Sequence, residues 1–318
     1  MELNMTGALG KRERSTDSST ENVFLSAIQM TSVVDVDKNL KTISTYLQKI
    51  TAAYQGIHLV ALPECCLFFG GSDKQQLELA KKNGQLTIDD TGQWKSTNHS
   101  LVSALSALAK EYRVYLVAGT IPIINETADK FTNSSLLFGP EGNIETQYDK
   151  IHLFDVDVSS DKKDESTNKN TEHVYKESKY TQAGNAAKVT TMPFAKLGLT
   201  VCFDLRFPLL FNALTQAGSE IITVPSAFTR VTGKVHWQTL LKARAIENQV
   251  YIIAAGQEGV HENGRETWGH SMIIDPWGEI LACLEYGEGC ITVPFEPRQV
   301  ERIRRSIPLN NVSFEKLI

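Results

Sequence analysis

Cysteine is scarce in this chain, and the way it is placed excludes as much as its number. Five cysteines spread over 318 residues give an odd count without framework spacing, so no disulfide scaffold is expected. Cys65 and Cys66 are adjacent, which rules out a CxxC redox or zinc pair. Thiols used this way point to a reducing compartment, the cytoplasm first and a mitochondrial pool second. Long apolar runs are also missing. Nothing approaches the ~20 residues of a membrane span, so no membrane partner is expected. The amino terminus lacks the apolar core of a signal peptide, and Glu2, Glu13, Asp17 and Glu21 are out of place in a transit peptide. An excess of basic residues is absent too: the net charge of −5 argues against a nucleic-acid partner. No GxGxxG or GxxxxGK follows a strand, so no nucleotide cofactor is expected. Asp155, Asp157 and His152 lack a metal-ligand spacing such as HExxH, and no metal is assigned to them. No repeat recurs along the chain, which excludes a solenoid.

What is present is apolar material for one large core, 42% of the residues, arranged in alternating periods. Residues 1–22 are polar and aperiodic and read as a disordered tail. Val23–Met30 reads as a strand, and Asp37 as the cap of a helix carrying Leu40, Ile43, Leu47 and Ile50. His58–Pro63 is a second strand, and a polar region runs to Thr97. A helix over His99–Glu111 and a strand over Val114–Ile121 follow. Ser134–Phe138 and Ile144–Tyr148 form a hairpin turned at Gly139–Gly142. Ser159–Lys179 has little apolar content and reads as an exposed loop insertion. Strands over Lys188–Met192 and Leu197–Cys202 pair, with a helix over Phe207–Gly218 and a strand over Glu220–Ser226 after them. A helix over Val235–Gln249 brings Trp237, Leu241 and Ala245 together. Strands at Tyr251–Gly256, Ser271–Ile274 and Ile280–Leu284 precede a closing helix at Pro297–Arg305. Residues 309–318 read as an extended tail. Helices alternating with strands, interrupted by hairpins, fit an α/β fold of four layers, α-β-β-α, in one domain over 23–308.

Three polar residues share one position in this pattern. Glu64 follows the strand His58–Pro63, Lys150 ends the strand that starts at Ile144, and Cys202 follows Leu197–Val201. The carboxyl ends of strands are where α/β sheets assemble sites. Singly, each has an ordinary reading: a buried thiol, a solvated carboxylate, a surface ammonium. Together they supply a base, a nucleophile and an oxyanion partner. Arg206, four residues after Cys202, favours a thiolate there and can hold a substrate carboxylate, or it can be structural, paired with Asp204 or a helix end. A cysteine–histidine hydrolase using His152 or His236 is the rival enzyme reading. His236 with Trp237, and His270 beside Trp268, read more simply as packing.

Leu62-Pro-Glu64, Tyr148–Asp157 and Val201–Pro208 resemble the three signature segments of the nitrilase superfamily, in its order. The resemblance implies the α-β-β-α sandwich and a catalytic set of Glu64, Lys150 and Cys202, with Glu177 in Lys176-Glu-Ser178 as a second glutamate. Pro225–Gly233, Ala243–Gln249 and Trp268–Met272 resemble the Nit branch. Ser226–Thr229 and Gly269–Ser271 are more like the deaminated-glutathione amidases than the ω-amidases of that branch. This implies hydrolysis of an amide whose acyl part carries a carboxylate, through a thioester, without a cofactor. Arg206, Phe228 and Thr229 are the expected substrate contacts, and a homodimer or larger homo-oligomer is the expected assembly. The alternatives are an ω-amidase acting on 2-oxoglutaramate and an inactive scaffold. Phe203 stands where a tyrosine is common.

Overall fold

Each apolar strand near the amino terminus is followed by a segment of helical period, and the chain folds accordingly. The computed structural model describes residues 21–96, 100–157 and 174–309. In chain order it contains β1 (Val23–Gln29), α1 (Val36–Ala53), β2 (Ile57–Ala61), α2 (Asp73–Asn83), β3 (Leu86–Ile88), β4 (Trp94–Ser96) and α3 (Ser100–Tyr112). Next come β5 (Tyr115–Val117), β6 (Ile121–Ile124), β7 (Phe131–Phe138), β8 (Ile144–Asp149), β9 (Asp155–Asp157) and β10 (Val174–Lys176). After these lie β11 (Lys188–Thr191), β12 (Lys196–Leu199), α4 (Pro208–Gln216), β13 (Ile221–Thr223), α5 (Arg230–Asn248) and β14 (Tyr251–Ala254). The chain closes with β15 (Glu258–Val260), β16 (Glu266–Trp268), β17 (Ser271–Ile274), β18 (Ile280–Leu284), β19 (Gly289–Pro294) and α6 (Pro297–Ser306).

Among the described residues two large sheets form. The first runs β19-β1-β2-β5-β7-β6 with β8 on β7, and the second runs β11-β12-β13-β14-β17-β18. The central strands are parallel in each: β1, β2 and β5 in one, β12, β13 and β14 in the other. One core cluster fills the space between the sheets, with Leu25, Leu59 and Val117 facing Leu197, Ile221 and Ile253. Ile43 and Leu47 of α1 and Leu105 of α3 cover the outer face of the first sheet. Phe211 and Leu214 of α4 with Trp237, Leu241 and Ala245 of α5 cover the second. The α-β-β-α order of layers follows directly, since each sheet buries both faces.

Several boundaries differ from the sequence reading. The cap of α1 is Asp35, whose Oδ1 accepts from the Lys38 N–H at 3.0 Å, while Asp37 lies in the first turn. The polar region before Thr97 contains α2, started by a capping box between Ser72 and Gln75 and covered by few apolar residues. The strand expected over Val114–Ile121 breaks at Gly119, where φ is +52° and a Cβ would fall 1.9 Å from the Pro63 carbonyl oxygen. Only glycine allows that approach to the segment bearing Glu64. Within the expected loop 159–179, Tyr175 and Lys176 pair in β10 with β9, and Glu177–Lys179 make a short 3-10 turn. The rest of that loop lies outside the described residues, as do the tail over 1–20 and residues 310–318. No helix among the described residues is long and apolar enough to cross a membrane.

Candidate active site

Glu64 follows β2 after Leu62 and Pro63, Lys150 follows β8, and Cys202 follows β12 after Thr200 and Val201. β2 and β12 are parallel inner strands of different sheets, so their carboxyl ends meet where the sheets face each other. Cys202 opens a 3-10 turn, Cys202–Arg206, with φ of +47°, a left-handed conformation unusual for a side chain other than glycine. Its N–H donates to the Pro225 carbonyl at 2.9 Å, which pins the nucleophile against the chain leaving β13. Gly184 lies against the loop after β8: a Cβ there would sit 2.1 Å from the Asp149 oxygen, and its N–H donates to the Lys150 carbonyl.

Lys150 is buried, and its Nζ lies 2.9 Å from Glu64 Oε1 and 2.9 Å from Glu177 Oε2. Asn133 Nδ2 bridges the same two carboxylates at 3.0 and 3.2 Å. The Ala227 N–H donates to Glu64 Oε2, the Phe154 N–H to Glu177 Oε2, and Gln257 Nε2 to the Glu64 carbonyl. The Cys202 thiol lies close enough to the Glu64 carboxylate for each to shift the other's titration. Two carboxylates on one ammonium leave the cluster with a net negative charge.

That charge balance decides the protonation states. Burial would push the Glu64 carboxyl up, but the Lys150 ammonium outweighs it and holds Glu64 below the usual value. Burial would lower Lys150, and Glu177 and Glu64 together raise it well above 10.5. Burial pushes the Cys202 thiol up, and the neighbouring Glu64 pushes it further. The thiolate expected from the nearness of Arg206 is therefore not the resting state. A further negative charge beside the buried Glu64 carboxylate is disfavoured, and the nucleophile rests as a thiol beside an ionised base.

Arg206 lines the same cleft and is not paired with Asp204. Its Nη1 donates to His236 Nδ1 at 3.3 Å, and its guanidinium lies over the rings of Phe228 (5.1 Å) and Phe203 (5.8 Å). Phe228 packs on Trp237, and Thr229 caps α5 with its hydroxyl bonded to Thr232. Glu64, Glu177, Lys150, Cys202, Arg206, Phe228 and Thr229 thus all line one cleft of about 740 Å³, counted to its open mouth.

The rival histidines are engaged elsewhere. His152 Nδ1 donates to Asp204 Oδ1 at 2.7 Å, and its ring stacks on Phe207 at 3.5 Å. His236 accepts from Arg206, and His270 stacks on Trp268 at 4.0 Å, as the sequence suggests. Three residues of the site escape sequence reading. Asp204 is fully buried and accepts from the Tyr148 hydroxyl, the Val201 N–H and the His152 N–H. Asn133 is one of four consecutive polar residues, Thr132–Ser135, and nothing in the sequence sets it apart from the other three. Arg265 lies in the turn of the β15–β16 hairpin, far along the chain from every other cleft residue except the Ala227–Thr232 segment.

The sequence profile of the carbon-nitrogen hydrolase family matches residues 24–305. A deaminated glutathione amidase of Yersinia enterocolitica is 37% identical over 290 residues, 91% of this chain and 92% of its own length. Two solved structures share the fold and more than a quarter of the sequence. The NitFhit protein of C. elegans superposes with a TM-score of 0.79 at 29% identity, covering 94% of this chain and 66% of that one. Nit3 of Saccharomyces cerevisiae, a member of branch 10 of the nitrilase superfamily, gives 0.76 at 27% identity, covering 92% and 96%. With its fold and nearly its whole described length matched in this way, the chain belongs to the carbon-nitrogen hydrolase family, in the Nit branch of the nitrilase superfamily.

Proposed function

We propose that this protein hydrolyses deaminated glutathione to 2-oxoglutarate and cysteinylglycine, with Cys202 as nucleophile, Glu64 as general base and Lys150 as oxyanion partner. The observation that carries the reading is the Glu64–Lys150–Glu177 cluster around a buried ammonium, with the Cys202 thiol beside Glu64 and Arg206, a guanidinium without a carboxylate partner among the described residues, in the same cleft. The amidase named above supplies the substrate class.

Because the thiol rests protonated, attack and proton transfer go together. The Cys202 proton passes to Glu64 as the sulfur–carbon bond forms, and the carbonyl electrons move onto oxygen. Lys150 and a backbone N–H near Phe203 stabilise that oxyanion, a contribution of roughly 3–4 kcal/mol per donor. Collapse breaks the carbon–nitrogen bond, and Glu64 returns its proton to the leaving nitrogen, releasing cysteinylglycine. Water then attacks the thioester with Glu64 again taking the proton, and the thiol is restored as 2-oxoglutarate leaves. Glu177 keeps Lys150 charged and oriented throughout. Arg206, in the same turn as Cys202, binds the carboxylate of the acyl part, and Phe228 and Thr229 line its path.

Five unpaired thiols support a cytoplasmic, reducing compartment. The exposed stripe Val231, Val235 and Ile246 on α5, with Leu209 and Trp277, supports a homodimer. Sedimentation of Val235→Asp at the wild-type mass and wild-type shape would count against that face. The substrate is tested by assaying deaminated glutathione and 2-oxoglutaramate side by side. A kcat/KM higher for deaminated glutathione is expected, and one higher for 2-oxoglutaramate overturns the reading.

A further inference from the structure

Deaminated glutathione carries two carboxylates, one at the end of its acyl part and one on the glycine of its leaving group. The cleft likewise holds two half-buried guanidinium groups, Arg206 and Arg265. Among the described residues no carboxylate lies within ion-pair distance of either, whereas Arg230, Arg244 and Arg305 each have one.

Arg265 is held as a preformed anion site. Its guanidinium lies over the Phe69 ring at 5.1 Å and the Tyr175 ring at 5.2 Å, so aromatic rings occupy its faces and leave its N–H edge for a planar partner. One Nη2 proton goes to the Ala227 carbonyl at 3.1 Å, and the buried Nε has no hydrogen-bond partner. The hairpin carrying it is fixed at its base by buried His261, bonded to the Ser32 carbonyl and the Thr267 hydroxyl. A stacked, rigid guanidinium with donors to spare loses little entropy on binding a carboxylate.

The two arginines are tied to different members of the catalytic set. Arg206 belongs to the turn that presents Cys202, the residue that takes the acyl part. Arg265 is joined to Glu64 through one residue: its Nη2 donates to the Ala227 carbonyl, and the Ala227 N–H donates to Glu64 Oε2 at 2.9 Å. Glu64 is the group that returns a proton to the leaving nitrogen. We infer that Arg265 binds the glycine carboxylate of the leaving cysteinylglycine and so sets the preference for the dianionic substrate over 2-oxoglutaramate, whose leaving group is ammonia. The inference rests on the proposed substrate reading.

Its test compares deaminated glutathione with the same molecule amidated at the glycine carboxylate, on wild type, Arg265→Gln, Arg265→Lys and Arg206→Gln. In the wild type, amidation should lower kcat/KM by about 10–100-fold, as expected for a lost charged hydrogen bond. In Arg265→Gln that penalty should shrink to about twofold, and Arg265→Lys should restore part of it. In Arg206→Gln it should persist. Melting temperatures establish that each variant folds, and because the penalty is a ratio within one variant, a general loss of activity does not move it. An equal penalty in wild type and Arg265→Gln, or its disappearance in Arg206→Gln alone, overturns the assignment and leaves the substrate reading standing. A wild type that does not hydrolyse deaminated glutathione overturns the substrate reading, and this inference with it.

Discussion

The Tyr148 hydroxyl donates to Asp204 Oδ2 at 2.7 Å, joining the last residues of β8 to the turn that begins with Cys202. Asp204 also accepts from the Val201 N–H and from both the backbone and the ring of His152. One buried carboxylate therefore fixes the loop of Lys150 relative to the loop of Cys202.

Tyr148→Phe removes one donor from that carboxylate without changing the packing of the ring. A hydrogen bond to a charged group is worth about 1.5–3 kcal/mol, so the melting temperature should fall by several degrees. The rate of acyl-enzyme formation should fall as well, because the ammonium and the thiol lose their common tether. Unchanged single-turnover kinetics would show that Asp204 positions neither loop.

Glu64→Gln should lower kcat by about 10²–10⁴-fold, the usual range for a lost general base. His152→Ala should reduce stability through Asp204, and His236→Ala should raise KM through Arg206, but both should keep measurable acylation. A burst assay distinguishes these outcomes. Abolished acylation in either histidine variant with near-normal rates in Glu64→Gln would mean a different base.

The pH dependence follows from the cluster. Glu64 titrates below its ordinary 4.5 because of Lys150, so its stabilising contribution is complete above about pH 4.5 and is lost as pH falls through the lowered value. Lys150 titrates well above 10.5, so its contribution is complete below that value and is lost only as pH rises through the raised one. The free enzyme should show kcat/KM flat through neutral pH. Glu177→Gln takes one of two negative partners from Lys150, which lowers its pKa. The alkaline fall in kcat/KM should accordingly begin at lower pH in that variant than in wild type.

Cys202 pays for its presentation in backbone conformation. Cys202→Gly and Cys202→Ala should both lack turnover, but the glycine variant should be the more stable by about 1 kcal/mol, since only alanine retains a Cβ at φ +47°. Chemical denaturation of the two variants checks this, and equal midpoints would remove the idea that the turn is strained.

The positions of Glu64, Lys150 and Cys202 were legible because a strand has a simple period and its end can be counted. Glu177 was reached only through the family's segments, since Lys176-Glu-Ser178 has nothing in its composition to set it apart from a solvated loop. The helix Asp73–Asn83 was hidden because it buries only Leu77, Ala80 and Asn83, too few for an apolar stripe. Asp204, Asn133 and Arg265 act through contacts spanning 38–69 residues of chain, and no local pattern encodes such a contact. The state of the thiol was inverted for a related reason: its neighbour in sequence is a cation, but burial and its neighbour in space, a carboxylate, decide it.

Glu64 and Lys150 come from one sheet and Cys202 from the other, so the reacting atoms sit across the seam between two slabs packed mainly by side chains such as Leu59 and Leu197, with backbone bonds crossing it at Met30. A slip of the slabs by a fraction of an ångström leaves every strand intact and separates thiol from base. Turnover is thus a gauge of sheet alignment, and gentle perturbation, whether hydrostatic pressure or a methylene removed from the seam, should silence the enzyme well before circular dichroism registers any unfolding.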